Sequence, residues 1–251
     1  MSGPKAPQTP AKGNQRVATR DPSPGTESRS LDAFIDAAHR APVPAVRDSY
    51  RLIFALDATA SRQPTWDMAC SLHTELFNEA ERLGNLAIQL CYYRGHNEFR
   101  ASRWATTPAT LRDQMLSVSC LGGATQITRL MQHAAQQAAE HPLRAVIFIG
   151  DCFEENEADL VATAGQLALR NVPVLIFQEG QNPVAQRAFA ALARTTRGAL
   201  LPFSLGSIGQ LGELLGAAVR FAVGGREALA QHARLSGGHA AQELLRQIPK
   251  R

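Results

Sequence analysis

Five residues of this chain carry oxygen chemistry at telling positions. Asp57, Thr59 and Ser61 fall on alternate positions of RLIFALDATAS, residues 51–61. Thr125 follows a glycine pair in LGGAT, residues 121–125, and Asp151 follows the apolar run AVIFIG, residues 145–150. Carboxylate and hydroxyl oxygens suit Mg²⁺, with Mn²⁺ or Ca²⁺ as substitutes, whereas zinc prefers nitrogen and sulfur. Two carboxylates and three hydroxyls around one point approach an octahedral oxygen site with room for water or for an oxygen from a partner. Singly, each has a plainer use. Asp57 could cap a loop, and Thr125 could cap a helix. The set of five favours a cation.

For these residues to meet, strands must bring them to one edge. Residues 52–56 have the length and composition of a buried parallel strand. The pattern then predicts a helix over 65–83, opened at Pro64 and Thr65 and stopped at Gly84 and Asn85. A strand over 86–93, a hairpin turn at 94–97 and a strand over 98–104 follow. Next come a helix over 107–118, the glycine-rich loop and a helix ending at Glu140. Strands over 145–149, 172–177 and 199–203 alternate with helices over 158–169, 183–195 and 207–222. The expected fold class is α/β: a doubly wound, mostly parallel six-stranded sheet with one antiparallel edge strand and helices on both faces. Asp57 and Asp151 then sit at carboxyl ends of parallel strands, the edge where open α/β sheets bind ligands. Gly122 and Gly123 would let backbone approach these loops closely.

This pattern resembles the von Willebrand factor A (VWA) domain with its metal-ion-dependent adhesion site. That family carries D-x-S-x-S after the first strand, a Thr in a later loop, and an Asp after the fourth strand. Here the first motif reads D-A-T-A-S, with Thr59 keeping the hydroxyl of the first serine. Thr125 and Asp151 match the other two parts, although Cys152 stands where the family has a glycine. The resemblance covers residues 48–223. It implies that Thr59, Ser61 and Thr125 touch Mg²⁺ directly and that Asp57 and Asp151 act directly or through water. It implies an open coordination position for an Asp or Glu of a protein partner. It also implies, for cytosolic bacterial members, work beside a ring-forming ATPase or an assembly machine.

Composition narrows the remaining classes. Of 251 residues, 45% are hydrophobic and 19% charged, which is ordinary for a globular protein. No apolar run reaches the ~20 residues needed to span a bilayer. The start, MSGPKAPQTPAKG, lacks the apolar segment of a secretory leader, so a cytoplasmic location is expected. Cys70, Cys91, Cys120 and Cys152 form no CxxC pair and read as reduced, packed thiols. Residues 1–30 are rich in Pro, Ser and positive charge and are expected to be disordered. Residues 31–47 read as a short helix and linker, and 224–251 as a helical extension joined at Gly224–Gly225, able to pack on the domain, to dimerise or to bind the partner.

The leading functional reading is a non-enzymatic, cation-dependent protein-interaction module. An alternative is a Mg²⁺-dependent phosphoryl-transfer or nucleotide-handling enzyme with Asp57 as nucleophile or ligand. Against it stand the lack of a second Asp at DxD spacing, of a phosphate-loop lysine and of a GxSxG elbow. Nucleic-acid binding through the basic tail is a third, weaker reading. The acidic run 154–159 reads as favouring the helix that follows it.

Overall fold

Strands that are apolar at every position have no face for water, so they must lie in the middle of a sheet covered on both sides. The computed structural model shows this arrangement. It describes residues 49–81, 85–204 and 208–250, together with Met1 and Gly3. The chain divides into two units, Met1–Ala45 and Val46–Arg251. Apart from Met1 and Gly3, the expected disordered tail and the helix expected over 31–40 fall outside the described residues. The sheet and all its helices belong to the second unit.

Six strands form one sheet: β1 Tyr50–Asp57, β2 Leu86–Arg94, β3 Glu98–Ala101, β4 Leu143–Gly150, β5 Val174–Glu179 and β6 Ala199–Phe203. Their order is β3-β2-β1-β4-β5-β6, with β3 antiparallel to β2 and every other pair parallel. Eight helices accompany them among the described residues: α1 Gln63–Ser71, α2 His73–Glu81, α3 Pro108–Leu116, α4 Ile127–Glu140, α5 Glu157–Leu169, α6 Pro183–Thr196, α7 Ile208–Ser236 and α8 His239–Gln247. Successive strand residues point to opposite faces, and each face has its own core. Leu52, Phe54, Leu56, Ile147 and Phe177 pack with Trp66, Leu76, Leu215 and Leu244. Ile53, Val146, Phe148 and Ile176 pack with Leu130, Leu160 and Phe189 on the other.

This strand order sets the functional edge. From β1 the chain steps to β2 on one side, while β4 leads to β5 and β6 on the other. The two directions part between β1 and β4, the kind of switch point at which open α/β sheets hold ligands in a crevice outside the strands' carboxyl ends. Asp57 ends β1, and Asp151 directly follows β4.

Local chemistry shifts several element boundaries from their expected places. The helix expected over 65–83 breaks at Leu72. There the Ser71 hydroxyl donates to the Met68 carbonyl at 2.7 Å and His73 Nδ1 pairs with the Cys70 carbonyl at 2.6 Å, so side chains compete with the helical ladder. β3 ends at Ala101 because the Ser102 hydroxyl accepts the Leu90 N–H at 3.1 Å. β5 starts two residues later than expected, because the Val172 N–H donates to the Leu167 carbonyl in the turn after α5. That shift makes Glu179 the last residue of β5. At the C-terminal end, α7 runs through a bend at Gly225, whose φ of 67° suits glycine. Beyond the bend, Leu229, Ala240, Ala241, Leu244 and Ile248 join the first core, so this segment packs on the domain.

Candidate functional site

Three loops build the edge. The first leaves β1 at Asp57, which is 3% exposed. One oxygen of its carboxylate accepts the Thr59 N–H at 2.7 Å, a local turn that fixes the side chain at the strand end. Residues Ala60–Arg62 form a single 3₁₀ turn leading into α1. Thr59 is buried and Ser61 exposed.

The second loop joins α3 to α4 and is tied to the first by its backbone. Leu121 N–H donates to the Ala58 carbonyl at 3.0 Å, and Ala124 N–H donates to the Gly95 carbonyl at 3.1 Å. A Cβ on Gly123 would lie 1.9 Å from the Gly95 oxygen, so only glycine permits this approach. The loop thereby rests on the β2–β3 turn and presents the buried Thr125 to the edge.

The third loop follows β4. Glu154 N–H donates to the Thr125 hydroxyl oxygen at 3.1 Å, and the Glu154 carboxylate accepts the Thr125 N–H at 3.2 Å. Glu155 accepts from Ile127 N–H at 2.5 Å and Thr128 N–H at 2.9 Å, capping α4 with both carboxylate oxygens. Thus Thr125 is not the cap of α4. Glu154 and Glu155 stabilise the loop and helix across from them, while Asn156 caps their own helix α5. A hydroxyl has two acceptor positions, so the Thr125 oxygen keeps one after accepting from Glu154.

The charges at the edge are unevenly matched. Asp151, 26% exposed, pairs with Arg62 Nη2 at 3.0 Å. Arg62 Nη1 lies 2.5 Å from Glu179, and Arg62 Nε donates to the Ser61 hydroxyl oxygen at 3.3 Å. Glu179, 4% exposed, also accepts a hydrogen bond from the Thr65 hydroxyl. Asp57 has no ion pair among the described residues. Burial pushes its carboxyl above the usual range. The Thr59 amide and hydroxyl oppose that shift, and the nearby charge of Asp151 adds to it. The Tyr93 hydroxyl, fully buried beside Asp57, makes no well-formed hydrogen bond among the described residues.

Sequence reading missed Arg62, Glu179 and Tyr93. The signal for the last two was present: each is a polar group at the carboxyl end of an apolar parallel strand, the rule that singled out Asp57 and Asp151. Arg62 follows Ser61 directly, but nothing in its spacing announced that it would turn back toward Asp151.

Cys152 lies at this edge too. Burial and the charges of Glu154 and Asp151 push its thiol up, away from the reactive thiolate form. No three carboxylate, imidazole or thiolate groups converge to hold a metal among the described residues. A cation here would therefore draw on hydroxyls as well as on the two aspartates. The donor chemistry fits a hard ion. So does the buried Asp57 charge, which has no cationic partner among the described residues.

No family model matches the sequence, and no curated protein matches it. Solved structures do match. The von Willebrand factor type A protein from Catenulispora acidiphila aligns with a TM-score of 0.56 at 13% identity, over 70% of this chain and 43% of its own. The SpRpn10 VWA domain aligns with a TM-score of 0.51 at 14% identity, over 65% of this chain and 95% of its own. An aerotolerance-related membrane protein from Bacteroides fragilis aligns with a TM-score of 0.51 at 15% identity, over 68% and 98%. The chain spans under half of the Catenulispora protein. At these identities the likeness shows the fold: this is a VWA fold. No helix among the described residues is long and apolar enough to cross a membrane.

Proposed function

We propose that the crevice between β1 and β4 binds a divalent cation, Mg²⁺ or Mn²⁺, through Asp57, Thr59, Ser61, Thr125 and Asp151, and that the domain uses it to hold an acidic residue of a protein partner. The observation that carries this reading is Asp57. A carboxylate buried without a cationic partner is costly, and bound cations are a usual remedy. When bound, the cation supplies a Lewis-acid position for a partner's carboxylate.

The chain's own residues do the rest. Asp57 contributes charge from beneath the crevice. The Thr59 N–H holds that carboxylate in place. Thr125, locked to the β4 loop through Glu154, brings its hydroxyl oxygen to the same edge. Ser61 and Asp151 form the outer, more exposed side. The Ser61 hydroxyl oxygen accepts from the Arg62 guanidinium, which cannot take its proton, whereas a nucleophilic serine donates its hydroxyl proton to a neighbouring base. An interaction module fits this arrangement better than a hydrolase. The VWA likeness supports the same reading, and a ring-forming ATPase is the partner class we would try first.

Calorimetric titration with Mg²⁺ and Mn²⁺ tests the centre. Wild type is expected to bind one ion and Asp57→Ala none. Absent binding in both overturns the cation reading. Affinity capture with Mg²⁺ and then with chelator should yield a partner only in the first case, and only with Asp57 intact.

A further inference from the structure

The loop after β1 carries a cation of its own. Arg62 is 9% exposed, and its guanidinium spans three oxygen groups: Ser61 at 3.3 Å, Asp151 at 3.0 Å and Glu179 at 2.5 Å. Two of these, Ser61 and Asp151, belong to the proposed donor set. The third does not. Glu179 ends the neighbouring strand β5 and is held from its other side by Thr65.

A guanidinium keeps its proton in proteins, so this positive charge is permanent. Two cations cannot draw on the same Ser61 and Asp151 oxygens in a partly buried crevice without strong repulsion. Glu179 offers the guanidinium a carboxylate to stay with when it lets go of Asp151.

We propose that Arg62 is a tethered competitor for the divalent ion, engaging Ser61 and Asp151 when the centre is empty and retreating onto Glu179 when the ion enters. This rests on the cation reading of the crevice. The competition selects charge: a monovalent ion brings no more charge than the guanidinium it must displace, whereas a divalent ion brings twice as much. It also weakens apparent affinity by the fraction of molecules in which Arg62 has withdrawn. A tenfold preference for the engaged state weakens it roughly tenfold.

The test compares wild type, Arg62→Gln/Glu179→Gln and Asp57→Asn. The double variant removes one positive and one negative charge, so the net charge near the crevice is unchanged and no buried Glu179 is left unpaired. Thermal melting by circular dichroism checks that it folds. Calorimetry should show Mn²⁺ binding roughly tenfold tighter in the double variant than in wild type, and none in Asp57→Asn. Independently, the Arg62 Nε–H signal of ¹⁵N-labelled wild type should move as Mg²⁺ saturates the centre. Equal Mn²⁺ affinity in wild type and the double variant, with an unmoved Arg62 signal, overturns the competition and leaves the cation centre standing. No Mn²⁺ binding in wild type or the double variant overturns the centre and the competition together.

Discussion

The carboxyl edge of the sheet has two halves that treat charge in opposite ways. Over β4 and β5, Asp151 and Glu179 share one guanidinium, and Glu179 gains the Thr65 hydroxyl as well. Over β1 and β2, Asp57 and the Tyr93 hydroxyl are more deeply buried than Asp151 and share no cation among the described residues. Folding has thus compensated one half with the chain's own arginine and left the other with an unmatched negative charge. An unmatched buried charge destabilises a fold, and perturbed carboxylates of this kind concentrate at functional sites. The contrast puts the unmatched charge on the β1 side, where the proposed cation would be held, and it can be broken from either half.

The largest effect should come from the compensated half. Arg62→Ala leaves Glu179 buried with no counter-charge, and losing one partner of a buried pair costs about 3–5 kcal/mol. In a domain of this size each kcal/mol lowers Tm by roughly 2–4 °C. Thermal melting should therefore show a drop of roughly 10 °C, and Glu179→Gln placed in the same variant should restore most of it. A fall below about 2 °C would mean that Arg62 does not compensate Glu179.

Next in size is the support shared by both halves. Gly123→Ala places a Cβ where the Gly95 carbonyl now sits. Overpacking against backbone costs about 1–3 kcal/mol. The shifted loop should also carry Thr125 away from the edge, so metal affinity should fall together with Tm. Gly122→Ala, where a Cβ meets open space, is the matched control and should change neither.

How far these features could be read beforehand differs between the halves. Asp57, Thr59 and Ser61 lie in one short segment, so their spacing shows in the chain itself. Asp151 follows from the same rule applied to β4, because an apolar run ending in a carboxylate marks a strand's carboxyl end. The mostly parallel six-stranded sheet with one antiparallel edge strand also followed from strands alternating with helices and from one hairpin turn, whereas the order of the strands across the sheet did not. Arg62 was invisible for a physical reason: its partners Asp151 and Glu179 are 89 and 117 residues away, and no local pattern sets the direction of a flexible side chain. Glu155 was misjudged in the same way. Its position before α5 suggested that helix as its target, yet both oxygens reach α4, which only the packing of the two loops determines.

The uncompensated half should respond with a gain in stability. Asp57→Asn keeps an oxygen for the Thr59 N–H but removes the buried charge, so the metal-free domain should melt roughly 2–4 °C higher, the shift made by about 1 kcal/mol. The pH dependence follows from the raised pKa. Folded Asp57 holds its proton more tightly than the unfolded chain does, so the native state gains stability as pH falls through the folded pKa toward ~3.9. The advantage of the Asn variant is therefore largest near neutral pH and vanishes near pH ~4. Saturating Mg²⁺ should reverse the order at neutral pH, raising the Tm of wild type and not that of the variant.

The smallest effect tests whether the β2 side of this half is as unpaired as its side chains indicate. The Tyr93 hydroxyl lies close enough to Asp57 to favour its charged form, yet it forms no well-aligned hydrogen bond among the described residues. Removing a satisfied buried hydroxyl usually costs about 1 kcal/mol or more, whereas removing an unsatisfied one is nearly neutral. Tyr93→Phe should accordingly leave the metal-free Tm within roughly 2 °C of wild type. It should still raise the Asp57 pKa, because a dipole that favours the carboxylate has gone, and NMR titration of the Asp57 carboxyl carbon would show this. A clear loss of stability would mean that the hydroxyl has a partner in solution, such as a water held beside Asp57. The uncompensated half would then carry more of its own compensation than the contrast with Arg62 implies.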